Sequence, residues 1–330
     1  MLKPLWHIWS WLWRTALSLS QYVIWPLSRL VSTISLTGSR EARGDDEERS
    51  HPGNDLSYGN SSHNIITRRV IERPSNQKLL IIGIFAEVYL LDGKVIRKTP
   101  RSENEEDMQP IIREATIYNI IGIHPRIVEC MSRGGGRAEY VDVKYYPHGD
   151  LASYCQKNKI TPELRSRWFQ QIIEAIIVIH DHGVVHSDLA LRQFFVDDNL
   201  DLRLGDFNSS QYADHPALGY EKATHCLPRD YELPNTESSD IFALGSTLYE
   251  LVAGRAPYSE LSSIGPESND PDSIKAKIQR QHQADLEIES RYKNQKFPDV
   301  SNIFRGDIIL GCWRGDFPTA KDALHLYVHG

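Results

Sequence analysis

The stretch from residue 161 to residue 207 constrains the fold of this chain most, because it reads as one long helix that leads directly into a short hairpin. The helix over residues 162–182 has a clear start, with Thr161 as a candidate N-cap and Pro162 in its first turn, and Gly183 follows its end. One face carries apolar residues at helical spacing, namely Leu164, Trp168, Ile172, Ile176 and Ile179. The pattern predicts a core helix.

Two carboxylates flank the hairpin that follows this helix. The chain passes through His186-Ser187-Asp188 and then forms two apolar runs, residues 194–196 and 200–207, around a turn at residues 197–199. The second run contains Asp206. Because a short hairpin brings its two outer ends together, the sequence predicts that Asp188 and Asp206 lie near one point.

A buried carboxylate is predicted upstream. Residues 87–98 read as a hairpin around Asp92-Gly93, the strongest short-range hairpin signal. The next helix is expected to have Pro110 in its first turn and Gly122 at its end. Its apolar stripe of Ile111, Ala115, Tyr118 and Ile121 includes Glu114, and a carboxylate facing a core needs a cation. Lys98 is the candidate partner; the alternative is that both are surface charges.

Composition divides the chain into three parts. Residues 1–40 contain no acidic residue and hold five of the seven tryptophans, residues 41–63 are a polar, acidic linker, and residues 64–330 alternate apolar runs with turns as a folded domain does. Trp6, Trp9 and Trp13 share a helical face, which favours contact with a membrane surface. The alternatives for residues 1–40 are a mitochondrial presequence and a disordered leader.

Charge and cysteine spacing limit the partners and the compartment. A net charge of −7 argues against binding to nucleic acid, which requires a basic face. The four cysteines are far apart, with no CxxC pair, and this favours a reducing compartment over a disulfide framework or a zinc site. We expect a cytoplasmic protein, associated with membranes through residues 1–40 if that segment is an anchor.

Several motifs follow one another along the chain in a fixed order. They are Lys98, Glu114, His186-x-Asp188, Asp206-Phe207 and the segment 238–258, SSDIFALGSTLYELVAGRAPY. In this order they resemble a eukaryotic protein kinase domain over roughly residues 64–326. The resemblance implies an α+β fold with two lobes, a small β-rich N-lobe at 64–143 and a larger helical C-lobe at 144–330, with the active site between them.

The resemblance implies that the charged residues serve phosphoryl transfer from ATP. In that family the lysine at the Lys98 position holds the ATP phosphates and pairs with the helix glutamate, here Glu114. Asp188 occupies the position of the base toward the substrate hydroxyl, and Asp206 that of the Mg²⁺ ligand. Arg192 matches the arginine of the DLAAR loop of tyrosine kinases, which supplies a positive charge there; the alternative is a surface arginine.

Other positions are matched to nucleotide and metal contacts. Only Gly83 remains of the glycine-rich loop, which ends at Val88, and the alternative for this stretch is a strand pair that merely covers the site. Residues 143–146 resemble the hinge, where Val143 and Tyr145 are expected to contact adenine through backbone groups. Gln193 stands where the family has a Mg²⁺-binding asparagine.

The chain also departs from the family pattern. Ser187 replaces an arginine that usually contacts a phosphorylated activation loop, and Asn208 replaces the glycine of D-F-G. The A-P-E motif is blurred at residues 227–232, where Asp230 or Glu232 is a candidate for the glutamate. The ion pair that this glutamate usually forms is expected to be lost unless Arg314 takes the arginine's place.

Three functions are compatible with the sequence. The first is an active protein kinase acting on a protein hydroxyl of Ser or Thr, with Tyr as an alternative. The second is a pseudokinase, either a nucleotide-binding protein or a structural scaffold, and the third is a small-molecule phosphotransferase. Retention of Lys98, Glu114, Asp188 and Asp206 favours the first over the second. The segment from Asp240 onward speaks against the third, and its aspartate is implied to anchor the catalytic-loop backbone.

Overall fold

The computed structural model describes residues 77–134, 139–262 and 271–330. The predictions made for the leader at residues 1–40 and for the linker at residues 41–63 lie outside these ranges. The described part has the two-lobed α+β architecture that the sequence predicts. Within it, no helix has both the length and the apolar character needed to cross a membrane.

The small lobe is a five-stranded antiparallel sheet with one helix. Its strand order is β1-β2-β3-β5-β4, so β5 inserts between β3 and β4. The helix α1 runs from Glu105 to Ile121. The strands are β1 (Gln77–Ile82), β2 (Ala86–Leu91), β3 (Val95–Pro100), β4 (Cys130–Arg133) and β5 (Val141–Lys144).

The hairpin predicted at Asp92-Gly93 is confirmed. The two residues have positive φ angles of 48° and 68°, as a tight hairpin turn requires, and Leu91 pairs with Val95 across it. Because residues alternate between the two faces of β3, this register determines on which face of the sheet Lys98 lies.

The predicted stripe of α1 is also confirmed, but its start is not. Ile111, Glu114, Tyr118 and their neighbours are buried. The prediction that Pro110 lies in the first turn is wrong, because the helix begins at Glu105. Three acidic residues in the first turn interact favourably with the positive N-terminal end of the helix dipole. They stabilise helical residues that precede the proline in the chain.

The large lobe is mainly helical. The predicted core helix is confirmed as Pro162–Asp181, and the Thr161 side chain caps it by accepting from Leu164 N at 3.2 Å. Two short strand pairs accompany the helices: β6 (Val184–Val185) with β9 (Gln211–Tyr212), and β7 (Phe194–Val196) with β8 (Leu202–Leu204). The helices are α2 (Leu151–Lys157), α3 (Pro162–Asp181), α4 (Glu237–Ala253), α5 (Ser259–Ser262), α6 (Pro271–Lys293), α7 (Gly306–Arg314) and α8 (Ala320–His329).

Helix α4 is the central support of the large lobe. Most of its residues are buried, including polar Ser246, which accepts a hydrogen bond from Trp313 Nε1 at 2.9 Å. A Cβ atom at Gly245 would lie 2.7 Å from Cys312 Cβ, so only glycine permits this close approach of α7. Such dense packing makes α4 a rigid support for the loop of residues 186–193, which the sequence predicts to be catalytic.

Candidate active site

Lys98 and Glu114 form the ion pair that the sequence predicts. The Lys98 ammonium lies 2.9 Å from both carboxylate oxygens of Glu114, which is fully buried on α1. Tyr118, one turn farther along α1, directs its hydroxyl to the same carboxylate at 3.4 Å. The alternative of two surface charges is therefore excluded, and the pair joins β3 to α1.

Lys98 also contacts Asp206 of the large lobe. Its ammonium lies 2.7 Å from Asp206 Oδ1, which accepts a second hydrogen bond from Asn208 Nδ2 at 3.0 Å. Burial alone would raise the pKa of Asp206, but the charge of Lys98 and its hydrogen bond outweigh burial and hold that pKa below its usual range. Asp206 is therefore an anion at neutral pH, as a ligand for Mg²⁺ must be.

The backbone at Asp206 is unusual for a residue with a side chain. Its φ of 64° and ψ of 58° place it in the left-handed region, and Ser187 of the catalytic loop likewise has a φ of 67°. Non-glycine residues adopt this conformation at a cost and need surrounding contacts to hold them there. Both residues lie next to or within the predicted catalytic motifs.

The Asp188 carboxylate is held by two side chains of its own loop. Arg192 Nη2 donates to Oδ1 at 2.6 Å, and Gln193 Nε2 donates to Oδ2 at 2.8 Å and to the Asp188 carbonyl at 3.1 Å. Arg192 is thus paired with the candidate base and is not a free surface arginine. Because both partners of the Gln193 amide are acceptors, this end is the nitrogen, and the amide oxygen remains as a possible metal ligand.

The hairpin aligns the backbone that follows Asp188 with the backbone that precedes Asp206, as the sequence predicts. Strands β7 and β8 pair Phe194 with Leu204, and Gly205 N donates to the Gln193 carbonyl at 3.0 Å. This bond aligns Gln193, at the end of the loop that carries Asp188, with Gly205, the residue before Asp206. Lys98 contacts Asp206, and Gln193 contacts Asp188, so one cation, two carboxylates and one amide lie along the two ends of this hairpin.

Asp240 anchors the catalytic loop, as the resemblance implies. Its fully buried carboxylate accepts from His186 N at 2.6 Å and from Ser187 N at 3.0 Å, and it also contacts His180 Nε2 at 3.1 Å. These bonds satisfy two backbone amides that would otherwise be buried without acceptors. Asp240 is therefore a structural residue.

A second anchor, Glu250, was not recognised from the sequence. Its carboxylate accepts from Leu191 N at 3.3 Å and lies 3.6 Å from His225 Nε2, so it joins α4 to both the catalytic loop and the segment after it. The available signal was one acidic residue within the apolar last turns of the helix, LYELVA. That position requires a partner in the same way as Glu114.

The residues predicted to form the nucleotide-facing loop and the hinge lie in the sheet of the small lobe and immediately after its last paired strand. Gly83 N donates to Ala86 O at 2.7 Å in a tight turn, and Val88 lies opposite Lys98 in the β2–β3 ladder. Val143 pairs with both neighbouring strands in β5. The Tyr145 N–H donates to the Lys94 carbonyl at 2.8 Å, so the predicted adenine contact of Tyr145 would have to use its carbonyl.

The segment before α4 contains an arginine–glutamate contact that differs from the ion pair sought in the sequence. Arg229 lies 3.4 Å from buried Glu221 and donates to Asn235 Oδ1 at 2.5 Å. The acidic candidates of the blurred motif are not in this pair; Asp230 instead accepts from the backbone N of Glu232. The pair at this point is therefore made within the segment and not with Arg314.

Glu221 predicts a pH dependence of stability. Burial raises the pKa of Glu221 to about 8, although Arg229 opposes this. The unfolded chain therefore ionises first, and stability should fall from about pH 5 to about pH 8. The Glu221→Gln variant has no carboxyl to ionise at this position and should escape this loss. Its free energy of unfolding, relative to that of the unchanged protein, should therefore increase with pH. Urea denaturation at several pH values measures this difference. The exposed Glu163→Gln serves as control; a Glu221→Gln effect that does not vary with pH contradicts the prediction.

Comparisons with known proteins agree with this geometry. The protein kinase domain family matches residues 86–316. CBL-interacting serine/threonine-protein kinase 5 of Arabidopsis thaliana is 29% identical over 201 residues, which cover 56% of this chain and 45% of that relative. Protein kinase C eta type of Homo sapiens is 27% identical over 247 residues, 71% of this chain and 35% of that relative. The chain thus spans less than half the length of these relatives.

A third relative supports the same conclusion. NUAK family SNF1-like kinase 1 of Homo sapiens is 31% identical over 175 residues, which cover 50% of this chain and 26% of that relative. The family match extends from β2 to just beyond α7 and includes Lys98, Glu114, Asp188 and Asp206. The chain belongs to the protein kinase domain family.

Proposed function

We propose that this protein is an active kinase that transfers the γ-phosphate of ATP to a serine or threonine hydroxyl of a protein substrate. The observation that carries the proposal is the simultaneous contact of Lys98 with Glu114 and Asp206. This contact joins the helix of the small lobe to the metal-binding position of the large lobe. Phosphoryl transfer depends mainly on such positioning and on charge neutralisation.

The residues of the cleft fit ATP and Mg²⁺, which protein kinases use. Within the described ranges no three His, Cys, Asp or Glu side chains form a metal-binding group. Mg²⁺ bound to substrate phosphates needs only one or two protein carboxylates, because the phosphates and water supply the other ligands. Asp206 and the Gln193 amide oxygen would hold the ion, which neutralises charge on the transferred phosphate.

The residues of the catalytic loop divide the remaining work. Each carboxylate oxygen of Asp188 accepts one hydrogen bond, from Arg192 or Gln193, and keeps a further lone pair. Asp188 can therefore orient the substrate hydroxyl and accept its proton while the two donors fix its direction. Arg192 supplies positive charge beside this base, and Lys98 holds the phosphates.

The choice of serine or threonine rests on the relatives. The Arabidopsis relative is named a serine/threonine-protein kinase. The Arg192 position instead resembles tyrosine kinases, so tyrosine is the second acceptor to be assayed. Peptide libraries with Ser, Thr or Tyr as the sole acceptor decide between them.

A pseudokinase is the second candidate function. Three substitutions favour it: Ile81 and Ala86 stand where the family has glycines, and Gln193 stands where it has asparagine. Bulkier residues in the loop limit how closely backbone amides approach phosphates. A pure scaffold, however, has no need to keep Lys98 paired with two carboxylates.

A binding and transfer experiment separates the two candidates. We expect millimolar Mg-ATP to raise the melting temperature of the full chain through mass action, and we expect label from γ-³²P-ATP to appear on a generic protein substrate. Asp188→Asn is the control, since it keeps the shape of the loop but disables the base. A thermal shift without transfer supports the nucleotide-binding pseudokinase. The absence of both the shift and the transfer supports the structural scaffold.

Gln193→Asn tests whether the catalytic loop is weakened. Mg²⁺ requires near-octahedral geometry, and the longer glutamine arm loses more rotamer entropy when fixed. We expect the substitution to raise the rate of transfer by roughly tenfold, equal to about 1.4 kcal/mol of transition-state stabilisation. Asp188→Asn in the same background should remove the gain. A fall in rate would mean that the two contacts of Gln193 with Asp188 are required.

A further inference from the structure

Arg113 is a buried cation next to the ion-paired glutamate. It lies on α1 immediately before Glu114 and is 5% exposed. Its Nη1 donates to the carbonyl of Ser210 at 2.6 Å and to the carbonyl of Pro216 at 2.5 Å. A buried guanidinium requires acceptors, and here two backbone carbonyls provide them for Nη1, while the buried Nε has no acceptor. Arg113 thus joins the helix that holds Glu114 to the segment that follows Asp206.

The segment from Ser210 to Pro216 is folded so that its carbonyls converge on Arg113. Tyr212 and His215 bond each other through their backbones at 3.2 and 2.9 Å, and their rings stack with centroids 4.6 Å apart. The Arg113 guanidinium lies 5.7 Å from the centre of the Tyr212 ring. This compact turn therefore presents both carbonyl oxygens and an aromatic face to one cation.

The same turn is bonded to the catalytic loop. Strand β9 pairs with β6, so Tyr212 lies opposite Val184. The Ser210 hydroxyl donates to the His186 carbonyl at 2.9 Å. A shift of the turn would therefore disturb both the loop that carries Asp188 and, through Arg113, the helix that carries Glu114.

The contacts of this turn do not depend on an added phosphate. Ser187 stands at the position of the family arginine that usually meets a phosphorylated loop, and it is fully buried with its hydroxyl directed to Val185 O at 3.2 Å. Both partners of Arg113 Nη1 are main-chain carbonyls, which are present in every chemical state of the segment. The connection is therefore complete without modification of a side chain.

We propose that Arg113 is a positioning residue that holds α1 and the segment 210–216 in the assembled arrangement without phosphorylation of that segment. The proposal deepens the proposed kinase function and rests on it. Arg113 touches neither nucleotide nor substrate in this role; it acts through Glu114 and through the catalytic loop. Its removal should lower turnover more than it weakens binding of the peptide substrate.

The test compares Arg113→Met with a matched control in the full chain. Like Arg113, Arg167 donates from a single guanidinium nitrogen to two carbonyls. Its Nη2 donates to the carbonyls of Asn199 and Leu200, and it therefore joins α3 to the β7–β8 turn. We expect Arg113→Met to lower kcat by about tenfold or more with little change in the peptide KM. Arg113→Lys should recover part of the loss, and Arg167→Met should leave kcat unchanged. An Arg113→Met kcat equal to that of the control overturns the proposal.

Limited trypsin digestion provides a readout independent of activity. The chain that continues from this segment carries cleavage sites after Lys222 and Arg229, and we expect Arg113→Met to be cut there faster than the unchanged protein or Arg167→Met. Equal cutting overturns the proposal. If the unchanged protein transfers no phosphate, the kinase function fails, and faster cutting of Arg113→Met alone still supports the connection.

Phosphatase treatment tests the second half of the proposal. We expect the purified protein to keep its kcat within about twofold after dephosphorylation confirmed by mass spectrometry, because the contacts of Arg113 are to carbonyls. A loss of activity that returns on rephosphorylation of the segment overturns it.

Discussion

Asp206→Asn should lower Mg²⁺-dependent phosphoryl transfer by on the order of a thousandfold, the size of effect seen when a group that stabilises transition-state charge is removed. Asp206 follows β8 of the hairpin, and the contact of its carboxylate with Lys98 orients that ammonium. The neutral amide keeps the shape of the side chain but loses the charge that we propose holds Mg²⁺. Transfer of γ-³²P at several Mg²⁺ concentrations measures the loss.

The control for this prediction lies on the same hairpin. Asp198→Asn makes the same chemical change in the exposed turn at the far end of β7 and β8. It should leave transfer within about twofold, since surface substitutions away from special contacts have small effects. Equal losses in the two variants would show that Asp206 acts only through the stability of the hairpin.

Asp240→Asn should have the largest effect on stability. The buried carboxylate accepts from two backbone amides of the catalytic loop and contacts His180, and an amide would turn a donor toward one of these groups. Loss of such a buried partner costs roughly 3 kcal/mol. Urea denaturation followed by tryptophan fluorescence measures the change in unfolding free energy.

Glu237→Gln is the matched control for Asp240→Asn. Both carboxylates lie in the first turn of α4 and near His180, but the Glu237 side chain is 47% exposed and lies 3.8 Å from the ring. Exposed pairs contribute little, so this variant should lose less than about 1 kcal/mol. A small loss for Asp240→Asn as well would mean that water or another acceptor replaces the carboxylate.

Residues whose surroundings are determined by local periodicity could be predicted from the sequence. Glu114 lies within an apolar stripe, so its burial and its need for a cation followed from the helix period alone. Asp188 and Asp206 were brought together by a hairpin of only a few residues. The start of α1 was misjudged because three acidic residues before Pro110 favour helix more than the proline opposes it.

Contacts between backbone groups far apart in the sequence could not be predicted. The Tyr145 N–H bonds to the Lys94 carbonyl across two strands, and no side-chain pattern records such a bond. Arg113 was equally hidden, because an arginine beside an apolar stripe usually reaches solvent. Its carbonyl partners lie about a hundred residues away in the chain and become close only when both lobes are formed.

The left-handed conformations of Ser187 and Asp206 imply that the catalytic geometry opens as one cooperative unit. Each conformation is unfavourable by itself, and each is maintained by shared bonds: Asp240 holds the amides around Ser187, Ser210 bonds the His186 carbonyl, and Gly205 bonds the Gln193 carbonyl. If one of these bonds breaks, the residue that it held can leave the left-handed conformation. The change in backbone direction then disturbs the neighbouring bonds of the same group. Amide hydrogens of residues 184–212 should therefore exchange with solvent deuterium in a single sub-global opening, so that both carboxylates lose their alignment in the same event.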